Sequence, residues 1–463
     1  MEDSSFQKVL SPLEAWSFSY GCLLGWGAFA MPLTVFLPQS GLAGSLTGLA
    51  VGAVFITVIA LNYHYLTMQC EDTGGIFSLL YHSMGLSHAF AASWGISFAH
   101  LLIIPLNARA LANLSHALLL EYAGIEPSLR ILGLRVPLVD LAVIVAAMVC
   151  GARINSRGIK TAARVQTVCA LILAGGIALM FGMMLFSGVD VRAGLTSSRV
   201  PGAGPLRSFM LTFIMVPWAF VGFDSLSALS NETSFSKKKL GRLMVLAVAV
   251  GAFGYMAGVV ITALGAPTDW LSGVSHPGTG LDGIAVLASL RRRFGAPGML
   301  IALVTLLCGI ATGIIGSIAN VSRLYHTMAC KGCLFSSLSR KNDRNVPFRS
   351  VRFAVVCSIV LVLLSDTFNT MEMVASICTA FGYGYCSCGA MRAAAKQRDS
   401  VHTALGAVGL AVCALWLVFL TVPILGTVEL TDWRMYSSLA AWVFFGIAGY
   451  IVTRRDFDEV LNN

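Results

Sequence analysis

The sequence predicts an all-α membrane protein of twelve transmembrane helices, read as a single domain over residues 1–463, and three observations predict it. Of the 463 residues, 57% are hydrophobic and only 11% are charged, too little charge to clothe a water-soluble chain of this length. The mean hydropathy is +0.79, and the apolar residues gather in runs that reach the roughly 20 residues needed to cross a bilayer as a helix. The runs show no sustained alternation, so membrane-spanning strands are not expected.

Twelve runs qualify, at 14–37, 42–67, 86–112, 136–153, 163–187, 206–230, 243–265, 297–323, 351–365, 370–391, 402–424 and 434–453. The opening "MEDSSFQKVLSPLEAWS" is acidic and polar. It lacks a basic leader and a small-residue cleavage site, so it reads as preceding a retained first span. The net charge is +9, and its distribution matters more than its sum. With a cytoplasmic N-terminus, segments on the inner side carry 21 Lys and Arg, outer segments nine, and Arg109 falls within a span. This bias orients a multi-pass cell-membrane protein with both termini cytoplasmic, and accounts for the charge without nucleic acid. Arg291, Arg292 and Arg293 run against it, in an expected outer loop. The twelve cysteines are scattered, mostly within spans. "CKGC", Cys330 to Cys333, stands alone where a zinc site needs a second ligand pair. The thiols therefore read as structural, and no metal or cofactor is expected beyond a coupling ion.

The most informative stretch is "YGCLLGWGAFAMP", Tyr20 to Pro32. Three glycines and a closing proline weaken the first span at its own centre. The sixth run, "FIMVPWAFVGFDSLSALSNET", repeats the feature, with Pro217 and Gly222 flanking an apolar, aromatic interruption. The two runs head successive five-span blocks, about 14–187 and 206–391, with two further helices at about 402–453. Five is odd, so the blocks enter the membrane from opposite sides, as in an inverted repeat whose paired breaks mark a binding site. A break frees peptide groups that are intolerable facing lipid but usable around a cavity. Amides after the break suit a carboxylate; carbonyls before it suit an ammonium or a metal cation. The competing reading of the glycines is close helix packing.

The chain resembles the amino acid–polyamine–organocation superfamily of secondary transporters. "GWGAF" from Gly25, "TGGIFSLLYHSMG" from Thr73, "INSRGIKTAARVQ" from Ile154, "AFVGFDSLSALSNET" in the sixth run and "SRLYHTMACKGCLFSSLSRKNDRNVPFRS" after the eighth are collinear with the family's motifs. The resemblance implies a five-plus-five, LeuT-like fold with broken first and sixth helices, working by alternating access. It implies a carboxylate cradle at Gly25, Trp26, Gly27, Ala28 and Phe29. It places an ammonium at the carbonyls of Leu23, Leu24, Phe220, Val221 and Phe223 around Gly222, with Trp218, Phe220 and Phe223 as an aromatic lid. Two departures stand out. Trp26 replaces a small residue, narrowing the pocket, and the position where some proton-coupled relatives carry a lysine is Leu173.

Other residues have two readings each. Asp224, the one carboxylate placed deep in a span, is a coupling or gating group or an N-cap for the helix after the break. Arg109 attracts a substrate carboxylate or snorkels outward. His64 and His100 relay protons or simply pack. Thr312 and Ser317 offer oxygens to sodium or bond their own helix. Tyr383 and Tyr385 face the pathway or pack. The expected function is a symporter or exchanger moving an amino acid or related amine, coupled to H+ or Na+ and embedded in the lipid bilayer. A membrane enzyme lacks a polar catalytic set; a channel or a substrate sensor using the same pocket is the alternative. Oligomeric state is left open.

Overall fold

Ser11, Pro12 and Glu14 start the first helix. The Ser11 hydroxyl accepts the Glu14 amide at 3.4 Å, and the Glu14 carboxylate accepts the Ser11 amide at 2.8 Å, a reciprocal cap that satisfies two orphan donors. Helix α1 (Pro12–Leu24) then stops in mid-span. Helix resumes as α2 (Gly27–Met31), passes through a π turn at Pro32–Phe36 and continues as α3 (Leu37–Gln69), kinked at Gly41. The computed structural model describes residues 6–70, 74–123, 129–131, 134–136, 138–188, 204–266, 281–364, 368–422 and 433–462. Thr73 and the ends of the runs at 351–365 and 402–424 lie outside them.

The chain proceeds through α4 (Ile76–Met84), α5 (Leu86–Ala123), α6 (Leu138–Ser156) and α7 (Ile159–Leu185). The second interrupted stretch is α8 (Pro205–Ile214), α9 (Val216–Ala219) and α10 (Ser225–Ala228). Then come α11 (Lys237–Gly265), α12 (Ala285–Cys330), α13 (Phe348–Leu364), α14 (Phe368–Lys396), α15 (Ser400–Thr421) and α16 (Trp433–Asn462). Helix α1 sits inside the bundle against α7, α11 and α12, while α5 packs on α12 and α14. Of the most apolar stretch of α5, 89% is buried; of α16, only 11%. Helix α16 is therefore peripheral, pinned by Trp94 and Trp442. Their rings stack at 4.2 Å and each indole N–H donates to the other's backbone carbonyl, at 2.9 and 3.0 Å. Outside the membrane segments, Asp399 caps α15. The backbone amide and ring of His402 hold its carboxyl below the usual range.

Among the described residues, eight helical segments are long and apolar enough to cross a membrane. The first, Pro12–Gln69, contains the first two expected runs. The expected spans at 206–230, 351–365 and 370–391 are not among the eight. The first is broken into short pieces, α13 has 17 residues, and Gly, Ser, Thr and Tyr dilute the apolar content of α14. A hairpin of three-residue strands, Leu129–Ile131 and Leu134–Val136, lies between α5 and α6, far shorter than a spanning strand. One other expectation is corrected. Arg291–Arg293 are helical rather than looped, because α12 begins at Ala285 and kinks at Gly295 and Pro297; Arg293 bonds the Ser187 carbonyl.

One end of the bundle is tied by an ion pair and a strap. Arg323 on α12 donates to Glu232 at 2.9 Å, with both side chains 2% exposed. The Glu232 carbonyl accepts the amides of Val9 and Leu10, and the Leu10 carbonyl accepts the Ser234 amide. The segment before α1 is thereby fastened to the chain just past α10. Removing one partner of a buried pair strands the other charge, at a cost of about 3–5 kcal/mol. Arg323→Met should lower the Tm of the purified protein by that equivalent, and adding Glu232→Gln should restore part of it. An unchanged Tm in the single variant would mean that the pair is solvated.

Candidate functional site

The interruption in the first stretch falls at Gly25 and Trp26. Gly25 has φ 45° and ψ −145°, a backbone that side-chain-bearing residues rarely adopt. The carbonyls ending α1 and the amides opening α2 lose their helical partners here. Some find others. The Trp26 amide donates to Asn107 Oδ1 at 3.3 Å, the Phe29 amide to the Trp26 carbonyl at 2.9 Å, and the Tyr255 hydroxyl to the Leu23 carbonyl at 3.4 Å. Of the five amides proposed as a cradle, Trp26 and Phe29 are thus engaged. Gly27 and Ala28 lie in the first turn, where amides have no intrahelical acceptor.

The second stretch is unwound from Phe220 to Asp224, between α9 and α10. Gly222 has φ +121°, and a Cβ there would stand 2.7 Å from the backbone of Cys22. Only glycine lets the two breaks approach so closely. The Ser19 hydroxyl bonds the Phe223 carbonyl at 2.9 Å, joining α1 to the second break.

Asp224 is 4% exposed and sits in a polar cluster. Its Oδ1 accepts the Gly222 amide at 3.2 Å and the Tyr383 hydroxyl at 3.3 Å. Its Oδ2 lies 2.9 Å from His100 Nε2, and that nitrogen also lies 2.8 Å from Asn320 Nδ2. One imidazole nitrogen cannot donate to the carboxylate and accept from the amide at once. Either Nε2 carries the proton and Asn320 presents its oxygen, or Nε2 is bare and the carboxyl carries the proton. Proton position and hydrogen-bond pattern are therefore linked. Asp224 bonds the Gly222 amide, not one in the first turn of α10, and makes no side-chain cap there.

The breaks share a cavity of about 20 Å³, lined by Cys22, Leu23, Leu24, Gly25, Trp26 and Gly27 from the first and Trp218 and Val221 from the second. Ile103, Leu106, Asn107 and Tyr255 complete it. That volume holds a water, not an amino acid. Ala28 and Phe29 line a smaller neighbouring cavity instead. Phe220 packs on Tyr255, and Phe223 packs on Tyr63 and Tyr383, so of the three lid aromatics only Trp218 lines the shared cavity.

The remaining candidates separate. Thr312 Oγ1 bonds its own helix at the Gly309 carbonyl, 2.9 Å away, and Ser317 Oγ is buried beside the Cys22 thiol, with no oxygen or nitrogen partner among the described residues. The Thr312 carbonyl is taken at 3.2 Å by Gln166 Nε2, which also donates to the Ser17 carbonyl at 3.3 Å. This carboxamide bridges α1, α7 and α12 where the two hydroxyls are candidate sodium ligands. Leu173 is buried beside Gly309. Arg109 bonds the Val362 carbonyl, His64 packs on Gly241, and Tyr385 packs on Phe381 and His88 while Tyr383 reaches Asp224. The twelve cysteines are free thiols.

Sequence reasoning missed Asn107, Gln166, Asn320 and the pairing of His100 with Asp224. It also gave no sign that Glu232, beyond the expected sixth run, and Glu372, at the start of the tenth, are buried, at 2% and 5% exposure. An intramembrane polar residue is itself a signal, but its partner lies on another helix and leaves no trace in local sequence.

Comparison with known proteins completes the picture. The chain is 24% identical over 404 residues to cationic amino acid transporter 4 of Mus musculus, covering 83% of this chain and 59% of that protein. It is 22% identical over 380 residues to the branched-chain amino acid permease BcaP of Lactococcus lactis, 78% and 76%. It is 22% identical over 272 residues to the methylthioribose transporter of Bacillus subtilis, 57% and 56%. The chain spans about three fifths of the length of the mammalian relative. The family model described as amino acid permease matches residues 10–450. With that match over nearly its whole length, this multi-pass membrane chain belongs to the amino acid permease family.

Proposed function

We propose that the protein is a secondary active transporter that carries an amino acid or related amine by alternating access through the cavity between the two breaks. The observation that carries this reading is the meeting of the breaks, with Gly222 against Cys22 and both lining one cavity. Released amides and carbonyls face a small space shielded from lipid, as a zwitterion requires. In the full proposal the chain crosses the membrane twelve times with both termini cytoplasmic, in two inverted five-span blocks plus two helices.

Coupling is assigned to protons. The Asp224–His100–Asn320 cluster changes its bonding with proton position, whereas Gln166 fills the space between the Ser17 and Thr312 carbonyls. Among the described residues, the shared cavity has no charged side chain in its walls, which favours a substrate with an uncharged side chain, the class in the name of the Lactococcus relative. A cationic side chain, as in the mouse protein's name, is the second reading. Glu372, a buried carboxyl, is the candidate partner for such a side chain.

Counterflow in proteoliposomes tests the function: saturable, trans-stimulated uptake is expected, whereas steady conduction indicates a channel and binding without flux a sensor. Competition by leucine over lysine supports the uncharged class; the reverse, abolished by Glu372→Gln, supports the cationic one.

Gly27→Leu should abolish uptake while the protein still inserts, because a Cβ at Gly27 already lies 2.9 Å from the Trp218 ring and the Tyr255 hydroxyl. Undiminished affinity in that variant contradicts the site. Asp224→Asn should make uptake insensitive to an imposed pH gradient, and a retained gradient response at full rate confines Asp224 to holding the break.

A further inference from the structure

Asn107 is 2% exposed and lies on α5, two residues beyond Pro105. Its Nδ2 donates to the Ile103 carbonyl at 2.9 Å, which fixes the carboxamide with Oδ1 toward the first break. There Oδ1 accepts the Trp26 amide at 3.3 Å. Two glycines clear room for the group. A Cβ at Gly25 would lie 3.2 Å from Oδ1, and one at Gly313 would lie 2.6 Å from the carboxamide. Three separate stretches of chain are thus shaped around one neutral side chain at the cavity wall.

We propose that Asn107 sets whether the site accepts a substrate carboxylate, by holding the Trp26 amide in the shut state in the place that a carboxylate oxygen would take. The inference rests on the transport reading above. Asn107 is a positioning residue with a defined chemical consequence. Its oxygen competes with the substrate for a backbone donor, yet carries no charge and so yields to a carboxylate, which makes the stronger bond. An aspartate at the same position would keep the acceptor and add a like charge that opposes the substrate's own.

The test is the ratio of Kd for leucine to Kd for 3-methylbutylamine, which has the same side chain and no carboxylate. Both ligands are titrated against the purified full-length protein by thermal shift. Asn107→Asp should move preference toward the amine about tenfold, the size expected for one charge-assisted hydrogen bond gained or lost. Asn107→Ala, which removes this acceptor from the Trp26 amide, should move it the other way. A purely structural role weakens both ligands equally and leaves the ratio unchanged in both variants, which overturns the proposal. If Asn107→Asp is not recovered as monodisperse protein, Asn107→Ala decides alone: a shift toward leucine supports the proposal, and no shift or the opposite shift overturns it. A wild-type protein that binds neither ligand removes the amino acid reading and this inference together; an unchanged ratio in a protein that binds both removes this inference only.

Discussion

A peptide group released from a helix inside a bilayer has no water to bond, so something in the protein must satisfy it or a ligand must. That constraint organises this molecule. Gly25 and Gly222 each interrupt a helix, and several polar side chains buried nearby are spent on the consequences. Asn107 and Tyr255 attend to the first break; Tyr383, Ser19 and Asp224 attend to the second. The apolar helices around them exclude solvent and lipid alike. The first-turn amides of Gly27 and Ala28 have no acceptor within their own helix, and Gly27 lines the shared cavity while Ala28 lines its smaller neighbour.

The two breaks are not equivalent. The first is a short gap in otherwise regular helix, and its polar partners are neutral. The second is unwound over five residues and carries a carboxylate bonded to a histidine and a tyrosine. The proposed proton coupling draws on this difference between the breaks. Burial of the Asp224 cluster makes its bonds strong and its rearrangement consequential. The Arg323–Glu232 pair and the strap from Val9 and Leu10 hold the far side of that unwound segment, so movement there is resisted by a charged contact as well as by packing.

The helical class and the places where helices weaken were legible, because glycine and proline act locally and their effect can be read from one segment. Gly25, Pro217 and Gly222 announce themselves in that way. The family resemblance seen in short motifs is matched by a family model spanning residues 10–450. The extent of unwinding was not legible, since Phe220–Asp224 is held open by Tyr383 on a helix about 160 positions later. The same limit hid the His100 pairing, the Gln166 bridge and the buried Glu232. The Arg291–Arg293 helix was missed because a basic cluster reads as loop until the kink at Gly295 is seen.

The cavity between the breaks has room for about one water. On the carrier reading proposed above, Trp26 and Trp218 must part before an amino acid fits. The occupant then makes the site rather than finding it open, and part of its binding energy is spent on separating those two rings.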